Sequence, residues 1–376
     1  MLPETLERRQ SARRLRIVAQ SVMASSPDAK RFKRFIECGN VPYSKEDMVS
    51  LNYSPSTGEA FTGGLSSCGS TWLCPECSSK VMAYRCKSVQ TAITKWCAES
   101  PDNAVYMVTL TQSHNMKDKL KNMLPAQADA LARFWANGSV KRLMRSIGLG
   151  FRISTLEITY GKNTGWHPHR HILLFCKRVF DVAVFEAKLR SHWWSALSSV
   201  DCKGNDYALK VDGGAYASEY VTKLAKEVTL SSLKRSPDGF TRYTPFALLA
   251  YISEHRKDKQ AVQWAYDAFR EYAETTKGRH AFQFSKGFSE YFNIEEVTDE
   301  NIAALHPEDS QFVGGLSYGL YKEIRRDSSV YWGMIDLVSE TRDMAKVASY
   351  LRCHGYGVSH CVVDDVGREK VVSNAA

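Results

Sequence analysis

Several features that would assign a function class are missing from this sequence of 376 residues. No run of about 18 apolar residues occurs, so we expect no membrane-spanning helix. Residues 1–20 are rich in arginine and lack an apolar signal core, which predicts a cytoplasmic protein. There is no internal repeat or low-complexity tract. There is also no G-x-x-x-x-G-K-S/T loop, so the sequence gives no sign of a built-in ATP motor.

The composition indicates a globular protein whose positive net charge suits an acidic partner. Hydrophobic residues make up 44% of the chain, which permits a sizeable core and argues against wholesale disorder. The formal net charge of +9 suits a polyanion, although many basic proteins bind nothing acidic. Because no secretion signal is present, the ten cysteines are expected to be thiols or metal ligands rather than disulfides.

The order of predicted elements indicates an α+β fold. Strand-like segments alternate with segments of helical periodicity, and two of the strands are separated only by the turn Gly-Lys-Asn-Thr-Gly at 161–165. We therefore predict a hairpin within a central antiparallel sheet flanked by helices. The predicted strands are 105–111, 151–160 and 166–176, and the predicted helices are 127–147, 185–197, 215–227 and 245–275.

Three histidines stand two residues apart at the start of the third strand. Residues two apart on a strand share one face, so His169 and His171 are predicted to point the same way. The hairpin should bring Glu157 alongside as a third ligand. Two imidazoles and a carboxylate suit Mg²⁺ or Mn²⁺. His167 is either a group behind the ligands or a residue preceding the strand, and ordinary hydrogen-bonded histidines are the alternative for all three.

A tyrosine pair occupies a predicted helix further along the chain. Tyr216, Tyr220 and Lys223 have the spacing of one helical stripe. A protonated tyrosine is a poor nucleophile, but a nearby metal and lysine make the phenolate accessible for attack on a phosphodiester. The alternative is a core stripe of two aromatic residues with a solvated lysine.

Four cysteines near the N-terminus have the spacing of a structural zinc site. Cys74 and Cys77 form a C-x-x-C knuckle, Cys68 precedes it, and Cys38 would complete the set. Cys86 is the rival fourth ligand, and free thiols in a core are the alternative. A second group of cysteines and histidines at 353–361 is a weaker metal candidate.

Together these motifs resemble the HUH endonucleases, and within them the replication initiators of rolling-circle plasmids. The resemblance spans roughly 35–290. It rests on these segments in order: Trp-Leu-Cys-Pro-Glu-Cys at 72–77, Val-Thr-Leu-Thr at 108–111 with His114, Gly-Trp-His-Pro-His-Arg-His at 165–171 with Glu157, Tyr-Val-Thr-Lys at 220–223, and Lys-Gly-Arg-His at 277–280 leading to Ser-Lys-Gly at 285–287.

The resemblance implies site-specific nicking and joining of single-stranded or hairpin-extruded origin DNA. Tyr220 would become linked to the 5′ phosphate, with a host helicase and polymerase as partners. Some plasmid relatives carry a glutamate four residues before the tyrosine, where this chain has Tyr216, so a two-tyrosine mechanism like that of phage initiators and transposases is also implied. Arg170 replaces the usual hydrophobic residue between the ligands and is expected to face away from the metal.

These features predict three consecutive domains: an N-terminal helical and zinc-binding module at 1–100, an HUH-type nickase domain at 101–235, and a helical region at 236–376 as a candidate DNA-binding part. Candidate phosphate contacts are Lys141, Arg142, Lys234 and Arg235, although such residues more often form a solvated face. The alternative functions are a two-tyrosine transposase, a zinc-ribbon DNA-binding regulator without catalysis, and a histidine metallohydrolase acting on small phosphodiesters.

Overall fold

The computed structural model describes residues 3–43, 48–213, 233–235, 241–358 and 362–364. The chain divides into a larger unit, residues 11–26 and 70–299, and a smaller unit, residues 1–10, 27–69 and 300–376. The smaller unit combines residues from both ends of the chain, so this division differs from the three consecutive domains expected from the sequence.

Eleven strands lie in the described part of the chain and are numbered in chain order. They are β1 (Val49–Ser54), β2 (Glu59–Gly63), β3 (Ala104–Leu110), β4 (Leu149–Gly161), β5 (Gly165–Cys176), β6 (Leu209–Asp212), β7 (Leu233–Arg235), β8 (Thr241–Tyr243), β9 (Phe282–Phe284), β10 (Gln311–Leu316) and β11 (Val362–Asp364).

The described helices are also numbered in chain order. They are α1 (Pro3–Ala24), α2 (Lys33–Glu37), α3 (Pro75–Glu99), α4 (Leu120–Ala136), α5 (Gly138–Ser146), α6 (Val182–Ser198), α7 (Pro245–Glu254), α8 (Lys259–Thr276), α9 (Phe288–Phe292), α10 (Asp299–Ala304), α11 (Tyr318–Ile324), α12 (Ser328–Thr341) and α13 (Met344–Cys353). None of these described helices combines the length and apolar character needed to cross a membrane.

The larger unit is built on an antiparallel sheet, as the α+β expectation required. Its strand order is β6-β3-β5-β4-β8-β7, with β9 also paired to β4. The central strand β5 reads almost entirely apolar after its histidines, because both of its faces are covered. Its even-numbered side chains pack with α4, α5 and α6, and its odd-numbered Leu173 and Phe175 pack against α3 and α9.

Two predicted helices are each interrupted by a side-chain cap. The segment 127–147 divides at Asn137, whose side chain accepts hydrogen bonds from the backbone N–H groups of Ser139 and Val140 and begins α5. The segment 245–275 divides before Asp258, which caps α8 in the same way. In both cases a polar cap satisfies N–H groups that a continuous helix would otherwise use, so two shorter helices form.

The smaller unit has its own antiparallel sheet, in the order β11-β10-β1-β2. The core beneath it joins Val49 and Leu51 of β1 to apolar residues of α11, α12 and α13. Residues 300–358 therefore contain a strand as well as helices, and the expectation of a helical C-terminal region covers only part of their structure.

Candidate active site

The β4–β5 hairpin sets the register of the histidines. Glu157 lies opposite His169, Thr155 opposite His171 and Thr159 opposite His167. The tight connection depends on Gly165, which has a φ of +81° and leaves no room for a Cβ beside the carbonyl oxygen of Asn115. All three histidines consequently lie on one face of the sheet.

His171 is held from both of its ring nitrogens. Its Nε2 is 2.9 Å from Oε2 of Glu157, and its Nδ1 is 3.0 Å from the hydroxyl oxygen of Thr109 on β3. An ionised carboxylate only accepts hydrogen bonds, so Nε2–H donates to Glu157 and Nδ1 accepts from the Thr109 hydroxyl in this arrangement. The sequence-based pairing of Glu157 with the histidine strand thus corresponds to a direct contact.

His169 lies beside His171 on the same face. The two rings are nearly parallel, at 9°, and their centroids are 6.2 Å apart. His169 is half-buried whereas His171 is buried, so the pair extends from the interior to the surface. Two imidazoles and one carboxylate on one face form a donor set that fits a divalent cation by its chemistry.

His167 lies within β5 rather than ahead of it, and it belongs to a second cluster. Its Nε2 is 2.9 Å from the hydroxyl of Thr164, and its ring meets that of His114 edge-on at a centroid distance of 3.7 Å. Burial lowers the pKa of His167 to about 2, with further lowering by the charges of His114, Arg242 and His169. His167 is therefore neutral, and it contributes a dipole rather than a charge beside the other two histidines.

Arg170 lies on the opposite face of the sheet from the histidines, as expected. It pairs with Leu110 on β3 and Leu156 on β4 and is only 7% exposed. Its Nε has no hydrogen-bond partner among the described residues. Burial and the neighbouring Arg279 both lower the pKa of Arg170. No acidic group contributes to that shift.

The four cysteines predicted to bind zinc come together. Their sulfur atoms all lie within 4.8 Å of one another and all four side chains are buried: Cys38, Cys68, Cys74 and Cys77. Cys74 is the N-cap of α3, where Pro75 begins the helix, so Cys77 follows within the first turn. The rival Cys86 lies instead in the core beneath the sheet, where burial raises the pKa of its thiol to about 11.

The remaining candidates fall into three groups. Tyr216, Tyr220 and Lys223 lie outside the described residues, which stop at residue 213 and resume at 233. Lys141 and Arg142 are exposed on α5, and Lys234 and Arg235 belong to β7. In the second cysteine group, Cys353 is exposed and the Nδ1–H of His354 donates to the backbone oxygen of Tyr350, while 359–361 lie outside the described residues.

Sequence reasoning missed two residues that complete the site. Thr109 and Thr164 each contact a histidine ring, although they are 62 and 3 residues from it in the chain. Thr109 belongs to the Val-Thr-Leu-Thr segment at 108–111, but only the pairing of β3 with β5 assigns its hydroxyl to His171.

A family model described as replication protein matches residues 65–311. The chain is 25% identical over 309 residues to "Protein rep" of Streptomyces lividans, covering 64% of this chain and 66% of that protein. It is 29% identical over 144 residues to "Neomycin resistance protein" of Streptomyces cyanogenus, covering 32% of each chain. The chain thus spans less than two thirds of the length of either relative. No solved structure matches it.

Proposed function

Because this chain belongs to the replication protein family of plasmid initiators, we propose that it starts rolling-circle replication by cutting and rejoining one DNA strand at an origin. The observation that carries the proposal is the cluster of His169, His171 and Glu157 on one face of the sheet. The specific chemistry is a metal-dependent nick of single-stranded origin DNA through a 5′-phosphotyrosine intermediate.

The two histidines and Glu157 would hold Mg²⁺ or Mn²⁺. When bound, the cation would polarise the scissile phosphodiester and stabilise the charge that develops on its oxygens. A ligating His171 presents the unprotonated Nε2, so its proton would move to Nδ1, and Nδ1–H would then donate to the Thr109 hydroxyl. Thr109 is therefore a positioning residue that fixes the tautomer and ring orientation.

The nucleophile in this proposal is Tyr220. Its phenolate oxygen bonds to phosphorus, the bond from phosphorus to the 3′ oxygen breaks, and that oxygen takes a proton to become the 3′ hydroxyl used by a polymerase. Lys223, one turn along the same predicted helix, would lower the pKa of the phenol. Tyr216 would accept a second strand by the same step, so that cutting and joining alternate without ATP.

The cysteine cluster would hold a structural Zn²⁺ at Cys38, Cys68, Cys74 and Cys77. Four buried sulfurs within reach of one ion match a closed, all-thiolate site. The exposed cations on α5 are proposed to contact DNA phosphates. A host helicase would separate the strands ahead of the polymerase.

A covalent adduct tests the catalytic proposal. The full chain is incubated with Mn²⁺ and a single-stranded oligonucleotide covering the origin, and the products are separated on a denaturing gel. We expect a shifted band that Tyr220→Phe abolishes and Tyr216→Phe retains. Specific binding without an adduct would favour a non-catalytic DNA-binding regulator, and turnover that survives both tyrosine variants would favour a metallohydrolase.

A further inference from the structure

The larger unit contains a cavity at the edge of β4. On the side of β4 away from β5, β9 pairs with residues 153–155 and β8 pairs with 160–161. No described strand pairs with residues 156–159 on that side, and the cavity occupies this gap. Its volume is about 100 Å³, and Glu157 contributes to its lining.

Four aromatic side chains contribute to the walls of the cavity. Trp72, Phe246, Tyr272 and Phe282 line it, and each comes from a different part of the larger unit. Trp72 donates from its indole N–H to the backbone oxygen of Arg279, at 2.8 Å, and meets the ring of Tyr272 edge-on. The rings of Trp72 and Tyr272 are therefore held in place without a bound molecule, which lowers the entropic cost of filling the space.

One peptide group of β4 faces this space. The backbone N–H of Leu156 donates to the carbonyl oxygen of Ala281, so the Leu156 peptide is directed away from β5. Hydrogen-bonding direction alternates along a strand, so the N–H and C=O of Ile158 have the same direction. Ile158 borders the cavity, and its peptide presents a donor beside an acceptor.

Three cationic residues stand close in the chain to residues that line the cavity. Lys277 and Arg279 precede Ala281, which lines it, and Arg242 precedes Thr244, which lines it from the other side. Aromatic side chains with a backbone donor and acceptor at the edge of the space match the edge of one unstacked nucleobase. An apolar cavity of roughly 150 Å³ binds benzene, so this smaller, half-open space admits only the edge of one ring system and excludes a duplex.

We propose that this cavity receives the edge of one nucleobase of the single-stranded DNA and thereby positions the strand beside Glu157. This inference rests on the proposed function, because it assigns a base-binding subsite to the same DNA substrate. Glu157 both lines the cavity and contacts His171, so a base seated there would place its own phosphate near the histidines.

Binding to defined oligomers without divalent metal tests the subsite. The probes are four homopolymeric 15-nucleotide single strands, one for each base, and an abasic strand of equal length and charge. Ala281→Leu fills the cavity, and Ala187→Leu adds the same group on the exposed side of α6 as a matched control. We expect Ala281→Leu to weaken binding of at least one base-bearing strand about ten-fold. Binding of the abasic strand should stay unchanged, and Ala187→Leu should alter neither.

Equal loss on the abasic strand, or no loss on any strand, would overturn the subsite. Phe246→Trp fills the cavity from another wall and repeats the measurement if Ala281→Leu loses its native circular dichroism. The wild-type chain provides a further test that needs no substitution: it must bind at least one base-bearing strand more tightly than the abasic strand. The adduct assay is separate: loss of the adduct with retained base preference would sink the nicking proposal and leave the subsite standing.

Discussion

At the scale of single residues, the candidate site consists of histidines whose partners determine their chemistry. His171 is fixed by Glu157 and Thr109, His167 is buried and neutral, and Arg170 is buried on the far face beside Arg279. Each of these environments leads to a different measurable consequence.

Thr109→Val should weaken Mn²⁺ binding about ten-fold, because the ring of His171 would lose the acceptor that fixes its orientation. Isothermal titration of the metal into the full chain measures the change, and Thr109→Ser should restore the wild-type affinity. Thr111→Val is the matched control, because the Thr111 hydroxyl contacts the backbone of Pro168 rather than a histidine. Equal effects of the two valine variants would contradict this role.

Arg170→Met should raise the free energy of unfolding by about 1–2 kcal/mol, because it removes a buried guanidinium that has a like charge as its neighbour. Urea denaturation measures the gain. Arg142→Met, on the exposed side of α5, should change stability by less than about 0.5 kcal/mol. A destabilised Arg170→Met protein would mean that the guanidinium has a stabilising partner after all.

Acid should destabilise the protein through His167. Its pKa is lowered to about 2 in the folded chain, so below about pH 6.5 the unfolded chain binds a proton that the folded chain does not. Stability is therefore full above pH 6.5 and falls as the pH decreases, by about 2 kcal/mol between pH 6.5 and 5 from this group. His167→Gln should reduce the pH dependence of urea unfolding by that amount, and an unchanged dependence would refute the assignment.

At the scale of elements, the hairpin was predictable and its surroundings were only partly so. A polar turn between two strand-like segments predicts both the pairing and the common face of His169 and His171. The interruption at Asn137 was not predicted, because helical periodicity continues through it and only the cap geometry reveals two helices. Thr109 was missed as a partner because strand pairing between distant segments has no local signature.

The knuckle at the start of α3 gives an element-scale prediction. The purified chain should contain about one equivalent of zinc, and Cys74→Ser should lose it and unfold at a lower temperature, since metal binding contributes folding free energy. Cys86→Ser is the control, because Cys86 lies in the hydrophobic core apart from the four clustered sulfurs. Full zinc content in Cys74→Ser would contradict the assignment, as would loss of zinc in Cys86→Ser.

At the scale of the whole molecule, each unit depends on contacts between distant parts of the chain. In the smaller unit, β1 pairs with β10, joining residues near 50 to residues near 315. Sequence periodicity predicts single elements but carries no information on which distant strands pair, so this unit could not be anticipated.

Truncation after residue 299 should therefore unfold the rest of the smaller unit. The β1–β2 hairpin would lose β10 and the helices that cover Val49 and Leu51, and an isolated two-stranded hairpin is marginally stable at best. Limited proteolysis with mass spectrometry should show new cleavage between residues 48 and 69. A chain ending at residue 366 keeps all the described strands and should remain resistant there. Resistance in the shorter chain would show that β1 and β2 hold their structure without β10.

The length of the connection between β4 and β5 determines which residues of β5 lie on the same face as Glu157. Lys162 and Asn163 are exposed. The Lys162 ammonium lies 5.5 Å from the centroid of the Trp264 ring, but an exposed cation–π contact is worth only about 0.5–1 kcal/mol, so substitutions there should be tolerated. The number of residues in the loop is constrained. Side chains alternate faces along a strand, so a register shift of one residue would turn every histidine to the face opposite Glu157. Selection on this loop would therefore act on length more than on identity. An alignment of relatives should show variable residues but no insertions at this turn, and the loop is a poor place to insert a tag.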